Sequence, residues 1–114
     1  MIRAIICGGR NFNDWKYFCN CLDDIHKYDP FIEIAQGGAN GADTFANMWA
    51  NRNKIPVKIY KPDWDKFKKA AGMIRNRQMF DNFLPDMVIA FPGNTGTQGM
   101  INYALSKNCQ VVRF

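Results

Sequence analysis

Five short runs of apolar and β-branched residues alternate along the chain with four stretches of helical spacing. The strand-like runs are Ile2 to Cys7, Phe31 to Ala35, Val57 to Tyr60, Met87 to Phe91 and Cys109 to Arg113. Because their apolar content is nearly continuous, they indicate a parallel sheet with helices on both faces. Right-handed crossovers favour a doubly wound, Rossmann-like α/β fold, for which we predict the strand order 3-2-1-4-5. Ligands of such folds bind beyond the carboxyl ends of the strands, where the order reverses.

The helical stretches carry apolar stripes that would face this sheet. Three of the stripes are regular. The first consists of Trp15, Phe18, Cys19, Leu22 and Ile25, the second of Phe45, Met48 and Trp49, and the third of Met100, Ile101, Ala104 and Leu105. The third stretch of the four is irregular, and we predict a short helix or turn before Gly72 and a longer helix after it. Residues 1–114 are predicted to form a single domain, a length that buries one core without disulfides or metals.

Composition excludes several classes of protein. No apolar run approaches the roughly 20 residues of a membrane span, and the strand-like N-terminus lacks the pattern of a signal peptide, so we expect a cytoplasmic protein. The four cysteines lack the spacing and accompanying histidines of a zinc site, and we predict free thiols and no metal site. The single histidine, His26, is interpreted as a surface or helix-end residue because no Ser or Cys motif accompanies it. A net charge of +5 admits a polyanionic partner but does not establish one.

Glycine-rich loops follow three of the predicted strands, at the sheet edge where a ligand would bind. Their residues are Cys7-Gly8-Gly9-Arg10-Asn11, Gln36-Gly37-Gly38-Ala39-Asn40-Gly41-Ala42-Asp43 and Phe91-Pro92-Gly93-Asn94-Thr95-Gly96-Thr97. Each precedes a helix, whose first N–H groups attract an anion such as phosphate. For the second loop alone, a tight turn with Asp43 as a helix cap is an equally good interpretation. Three such loops at one edge favour a phosphate- or nucleotide-binding site.

These loops differ from two widespread phosphate-binding motifs. No Gly-Lys-Ser/Thr follows the glycines, which disfavours hydrolysis of a nucleoside triphosphate by a P-loop with Mg²⁺. The first strand–helix unit does not match G-x-G-x-x-G, which disfavours a conventional NAD-dependent dehydrogenase. We therefore predict no cofactor.

A basic segment, Arg75-Asn76-Arg77, follows Gly72 in the third helical stretch. A solvated face of an amphipathic helix is the simplest explanation of such residues. Cations near a helix start, however, oppose the helix dipole. We therefore predict that Arg75 reaches across the sheet end and donates to an anion, with Asn76 beside it in the site. Trp64, in the preceding loop, is a candidate for stacking on a base, and a lid over the core is the alternative.

Taken in order, these motifs resemble the small stand-alone YspA-like members of the SLOG superfamily. The matching segments are Gly8-Gly9-Arg10, Gly37 to Asp43, Asp63-Trp64, Ala71-Gly72, Arg75 to Met79, Phe91-Pro92-Gly93 and Gly96-Thr97. The resemblance implies a Rossmann-like fold that binds a nucleotide or nucleotide-like ligand at these loops. The superfamily also includes the LONELY GUY phosphoribohydrolases and the DNA-processing protein DprA, so it implies no single activity.

The position of a catalytic glutamate separates this chain from the LONELY GUY enzymes, whose P-G-G-x-G-T motif is followed by x-x-Glu. That Glu and an Arg of an R-K-x-x-M-like segment form their catalytic pair. Here Arg75 and Met79 fit the second segment, and Pro92 to Thr97 fit the first with Asn94 in place of a glycine. The glutamate position is Met100, and losing an acid–base group typically costs about 10² to 10⁴ in rate. Arg75 is thus the one catalytic candidate, with Asp43 as a conceivable substitute carboxylate.

Three hypotheses for the function follow. The first is a non-enzymatic protein that senses or sequesters a nucleotide-derived small molecule. The second is a nucleotide hydrolase of the LONELY GUY type. The third is single-stranded nucleic-acid binding, because Arg75-Asn76-Arg77 resembles the R-N-R of DprA; it ranks last since aromatic residues do not interleave with the basic run. The resemblance also implies a homodimer or a higher homo-oligomer, because relatives often pair through helices.

Overall fold

The computed structural model describes residues 1–114 and places the first strand at the centre of a five-stranded sheet. The strands are β1 (Ile2–Cys7), β2 (Phe31–Gln36), β3 (Val57–Ile59), β4 (Met87–Ala90) and β5 (Gln110–Arg113). All four strand pairs are parallel, and the order is β3-β2-β1-β4-β5. The predicted Rossmann-like order is confirmed. The order reverses between β1 and β4, so that edge is where a ligand site is expected.

The helices are α1 (Trp15–Tyr28), α2 (Ala42–Arg52), α3 (Trp64–Phe67), α4 (Ala71–Phe83) and α5 (Thr95–Ser106), with a 3₁₀ turn at Lys68–Ala70. They cover both faces of the sheet, because alternate residues of β1 enter two different cores. Ile2, Ala4 and Ile6 pack with buried residues of α1 and α2, whereas Ile5 and Cys7 pack with those of α4 and α5. This alternation is the period of two expected of a strand, and it confirms the doubly wound architecture.

Aromatic rings fill the first of these cores directly beneath the loop that follows β1. Phe12, in that loop, lies 5.2 Å from the ring of Phe91 and 6.0 Å from that of Phe45, measured between centroids. Phe18 of α1 stacks on Phe91 at 4.5 Å. Such ring pairs contribute beyond the area they bury. The β1–α1 loop is therefore anchored to the core by its own side chain.

Three details of the sequence-based expectations need correction. Met48 is 47% exposed and does not belong to the buried face of α2, because Ala46 and Ala50 occupy that face together with Trp49. Cys109 precedes β5 and is only partly buried. The helix α4 begins at Ala71, so Arg75 lies one full turn inside it. Its placement therefore does not require the argument from the helix dipole, which acts mainly within the first turn.

His26 lies near the end of α1 and serves the fold. Its Nδ1 accepts a hydrogen bond from the backbone N–H of Phe31 at 3.0 Å. Its ring also stacks on that of Phe31, with centroids 5.6 Å apart and planes within 7°. The histidine thus joins the end of α1 to the start of β2. None of the helices is both long and apolar enough to cross a membrane.

Candidate functional site

A cleft of about 930 Å³ opens at the carboxyl ends of the strands, at the edge that the strand order predicts. The loops after β1, β2 and β4 form its walls, and α4 closes one side. Its volume lies within the range of small-molecule sites. Of the buried polar side chains in the protein, Asp43, Asn76 and Thr97 all line this cleft. Buried polar groups are costly to keep, so their concentration here marks the cleft as the candidate site.

Most of the residues predicted from sequence line this one cleft. They are Gly8, Gly9, Arg10, Gly37, Ala39, Asp43, Trp64, Arg75, Asn76, Pro92, Gly93, Asn94, Thr95, Gly96 and Thr97. Gly38, Asn40 and Gly41 do not line it. The structure thus brings together segments from four parts of the chain, while Gly38 and Gly41 shape the loop between them.

Other lining residues had not been predicted. They are Ile6, Cys7, Asn11, Phe12, Asn13, Asp14, Lys69, Gly72, Met73 and Met79. The β1–α1 loop lines the site as far as Asp14. The rule that ligands bind at strand ends does not say how far along a loop the site extends. Gly72 and Met73 lie one helical turn before Asn76 and so share its face of α4. Helical spacing from the predicted Asn76 would have identified them.

Glycines let the three strand-end loops touch one another through their backbones. The amide of Gly9 donates to the carbonyl of Pro92 at 2.8 Å. Gly41 has φ +75°, and a Cβ there would overlap the carbonyl oxygen of Gly9. A Cβ on Gly8 would lie 2.6 Å from that of Ala42. These glycines are therefore required by contacts between loops, independently of any ligand.

The N-terminus of α5 faces the cleft without a cap. Asn94 occupies the N-cap position but makes no side-chain hydrogen bond to the helix, and the first turn contains no acidic residue. Thr97, in this turn, is 8% exposed, and the only Ser or Thr hydroxyls that donate to protein groups are those of Thr44 and Ser106. Free helix N–H groups beside an unpartnered hydroxyl can bind an anion. We call residues 94–97 the anion subsite.

The N-terminus of α2 is different, because a carboxylate already occupies it. Gly41 is the N-cap, and Asp43 is the second residue of the helix, so Asp43 is not the cap that the alternative interpretation proposed. Its Oδ2 accepts from the amide of Ala39 at 3.2 Å. Burial raises the pKa of Asp43 to about 6, although the Ala39 amide and the charge of Arg75 act in the opposite direction. The site therefore contains a carboxyl group whose pKa is raised by its burial.

Arg75 reaches across the sheet end, as predicted, but most of its donors are used by the protein. Its Nη1 donates to the carbonyls of Gly37 and Tyr60, the latter at 3.0 Å, and its Nε donates to Asn76 Oδ1 at 3.0 Å. Nη2 has no protein partner. Burial lowers the pKa of Arg75, whereas Asp43 opposes that shift. The two charges influence each other without forming an ion pair within 4.0 Å.

Asn76 is 5% exposed and serves mainly to hold the site together. Its Oδ1 accepts from Arg75, and its Nδ2 donates to the carbonyl of Gly96 at 3.1 Å. One buried amide therefore links Arg75 on α4 to the anion subsite on α5. Sequence reasoning predicted Asn76 as a ligand-binding residue, and it lines the cleft with both atoms of its amide hydrogen-bonded to protein groups.

Trp64 and Arg10 lie at the mouth of the cleft. The indole is 47% exposed, and the guanidinium carbon of Arg10 lies 5.8 Å from the centre of its ring. This distance is within the range of a cation–π interaction. No group of three or more His, Cys, Asp or Glu side chains is arranged to hold a metal ion.

This fold and cleft define a Rossmann-like domain with a polar site at the switch point of its sheet. The chain belongs to the YspA, cpYpsA-related SLOG family, whose model matches residues 2–67. The match spans β1 to α3 and thus includes the first two glycine loops and Trp64. The chain is also similar to the Gene 61 protein of Mycobacterium phage D29, with 29% identity over 122 residues that cover 100% of this chain and 97% of the phage protein.

Proposed function

We propose that this protein binds a nucleotide or nucleotide-derived small molecule, with a phosphate at the anion subsite. The observation that carries the proposal is the uncapped start of α5, where the hydroxyl of the largely buried Thr97 makes no hydrogen bond to the protein. A phosphate oxygen would accept hydrogen bonds from both the helix N–H groups and this hydroxyl. Membership of the SLOG family supports a nucleotide-related ligand.

The charges around the cleft support the same ligand class. Arg10 and Lys69 line it, and Nη2 of Arg75 is free to donate. The acidic residues that line it are Asp14, the N-cap of α1, and Asp43, in the first turn of α2, whereas the anion subsite follows β4. A ligand with one anionic end and a neutral hydrogen-bonding end fits this distribution.

Calorimetric titration with AMP tests the proposal on the wild type and two variants of Thr97. T97V preserves the shape of the side chain but removes its hydroxyl, and T97S is the matched control that retains it. We expect T97V to weaken binding about tenfold, since a hydrogen bond to a charged group is typically of this size, and T97S to bind like the wild type. Equal AMP affinities of T97V and the wild type would show that the phosphate does not bind at the anion subsite. No binding of AMP, GMP or UMP at millimolar concentration would refute the proposed function.

Asp43 favours a second candidate function, hydrolysis of the bond between sugar and base in a nucleoside monophosphate. Met100, at the position of the LONELY GUY glutamate, is fully buried, whereas Asp43 faces the cleft. In the proposed step, Asp43 takes a proton from water as the water oxygen attacks the sugar carbon. The C–N bond breaks, and its electron pair leaves with the base, which takes up a proton. The products are ribose 5-phosphate and the free base.

Chromatography of AMP incubated with the wild type and with D43N tests this second function. We expect free adenine and ribose 5-phosphate from the wild type and a rate at least about 10² lower for D43N. AMP that remains intact with the wild type, while calorimetry records its binding, would leave the protein as a binding protein only. Equal rates for D43N and the wild type would exclude Asp43 as the general base.

A further inference from the structure

The two ends of the cleft differ in chemistry. At the end formed by the anion subsite, the lining consists of polar residues and helix N–H groups. At the end formed by α3 and the start of α4, the lining includes the exposed indole of Trp64, the backbone of Gly72 and the side chain of Lys69. An indole ring stacks on flat aromatic surfaces. A ligand that fills both ends therefore has an anionic part and a flat, largely apolar part.

Trp64 is not needed by the core. Trp49 is 1% exposed and Trp15 packs partly buried against the first core, but Trp64 is 47% exposed and belongs to neither core. One edge of its ring lies over Gly72, where a Cβ would be 3.8 Å from Cη2. About half of the side chain is exposed and the residue lines the cleft, so part of an indole surface is available to a ligand.

Arg10 lies over the open face of this ring and is itself uncommitted. It forms no ion pair, since the ion pairs of the protein involve only Met1, Asp29, Arg3 and Glu33. The 5.8 Å between its guanidinium carbon and the ring centre is about 1 Å less than a planar ring needs when it stacks on both sides at about 3.5 Å. Arg10 is exposed, so rotation of its side chain opens that gap.

We infer that Arg10 and Trp64 form a clamp that receives a planar aromatic base between guanidinium and indole. The inference rests on the proposed function, because the phosphate of the same ligand lies at the anion subsite. Guanidinium and indole planes both stack on bases. Arg10 then contributes a planar stacking surface as well as a positive charge. A nucleotide is therefore preferred over a sugar phosphate that lacks a base.

Calorimetry with AMP and with ribose 5-phosphate separates this inference from the proposed function, because the two compounds share the phosphate and differ in the base. The clamp predicts that AMP binds the wild type about tenfold more tightly, a typical contribution of one stacked base. W64L is expected to abolish that difference and to leave the affinity for ribose 5-phosphate unchanged. Y28L is the matched control, because Tyr28 is an aromatic that is 83% exposed and lies at the end of α1, outside the cleft.

Arg10 is tested by R10K, which keeps the charge and removes the planar group. We expect R10K to lower the ratio of the AMP affinity to the ribose 5-phosphate affinity several-fold, because it removes the planar group that stacks on the base. If R10K and W64L bind AMP as tightly as the wild type, or if AMP and ribose 5-phosphate bind equally, the clamp is wrong and the phosphate-binding function stands. If neither compound binds at millimolar concentration, the proposed function fails and the clamp fails with it.

Fluorescence gives a second readout that does not depend on affinity. Trp64 is the most exposed tryptophan, and stacking on a base is expected to quench its emission. Saturating AMP should therefore quench the wild type and not W64F, whereas saturating ribose 5-phosphate should quench neither. Quenching of the same size in W64F would place the base beside another tryptophan and overturn the clamp.

Discussion

The N-termini of α2 and α5 both follow a glycine-rich loop at the same edge of the sheet, yet they present opposite charges to the cleft. The first turn of α5 contains no acid and is uncapped. The first turn of α2 contains Asp43, and its first amide, that of Ala42, donates to the carbonyl of Gly9 at 3.3 Å. An anion is attracted to the first and repelled by the second.

This difference shows that glycine content alone does not identify an anion-binding loop. In the loop before α2, Gly41 allows contact with the loop after β1, and Gly38, with φ +77°, donates its amide to Gln36 Oε1. In the first turn of α5, by contrast, a Cβ on Gly96 would meet no atom within 4 Å. The glycines before α2 thus shape its loop and its contact with the loop after β1. Gly96, in contrast, leaves space open at the start of α5.

Replacing Gly41 by alanine is expected to have the largest effect. The backbone has φ +75° and ψ −125°, a region that residues other than glycine enter at a cost of about 1–3 kcal/mol, and the new Cβ would also overlap the carbonyl oxygen of Gly9. We expect a loss of about 3 kcal/mol in the free energy of unfolding and a fall in Tm of about 10 °C or more, measured by thermal denaturation.

G96A is the matched control for this prediction. It introduces the same methyl group at an open position inside a helix, where alanine is favoured over glycine, so Tm should stay the same or rise. If G41A is as stable as G96A, the loops after β1 and β2 do not depend on their close contact.

D43N is expected to have an effect of similar size and opposite sign. The folded-state pKa of about 6 lies above the ordinary value of 3.8, so the folded protein binds the proton more tightly than the unfolded chain does. Stability therefore falls as pH rises from about 4 to 6, by about 3 kcal/mol in full. Asparagine retains an oxygen that accepts from the Ala39 amide but carries no charge. Because D43N avoids the cost of burying a carboxylate, it should be more stable than the wild type at pH 7 and similar to it near pH 4.

Thermal denaturation of both proteins between pH 4 and pH 8 checks this prediction. A difference in Tm that does not vary with pH would mean that the charge of Asp43 is not its source. A lower stability of D43N at pH 7 would mean that attraction between Asp43 and Arg75 outweighs the cost of burying the carboxylate.

The fold was predictable because its signals are local. Runs such as Ile2 to Cys7 are apolar and β-branched, and each is separated from the next by a helical stripe. Covering both faces of a parallel sheet then leaves few topologies. Met48 was misassigned because helical spacing alone does not say which side of a stripe meets the core; Ala46 and Ala50 let α2 approach the sheet closely on the side where Trp49 is buried.

The candidate site was predictable as a location, but its internal contacts were not. Strand ends and glycines indicated which loops meet. That Asn76 donates to Gly96 and accepts from Arg75 depends on how α4 lies against α5, and no spacing within either segment encodes it. The burial of Asp43, which raises its pKa, likewise depends on neighbours that are distant in sequence, among them Cys7 and Arg75. Burial also raises the pKa of Cys7, to about 12, which makes that thiol unreactive.

The smallest of the expected effects comes from giving α5 the acid that α2 already has. In G96D a carboxylate enters the first turn of α5, where it stabilises the helix by about 0.3–1 kcal/mol and repels a bound phosphate. We expect AMP to bind about tenfold or more weakly, since two like charges within about 4 Å repel strongly near a protein surface, while Tm stays the same or rises. G96N, with the same shape and no charge, should bind AMP close to normally.

Most substitutions that weaken binding also destabilise the protein. Weaker AMP binding together with equal or higher stability would therefore indicate that an anion binds at this helix end. AMP binding of G96D that equals that of G96N would place the phosphate elsewhere in the cleft, with the free Nη2 of Arg75 as the next candidate.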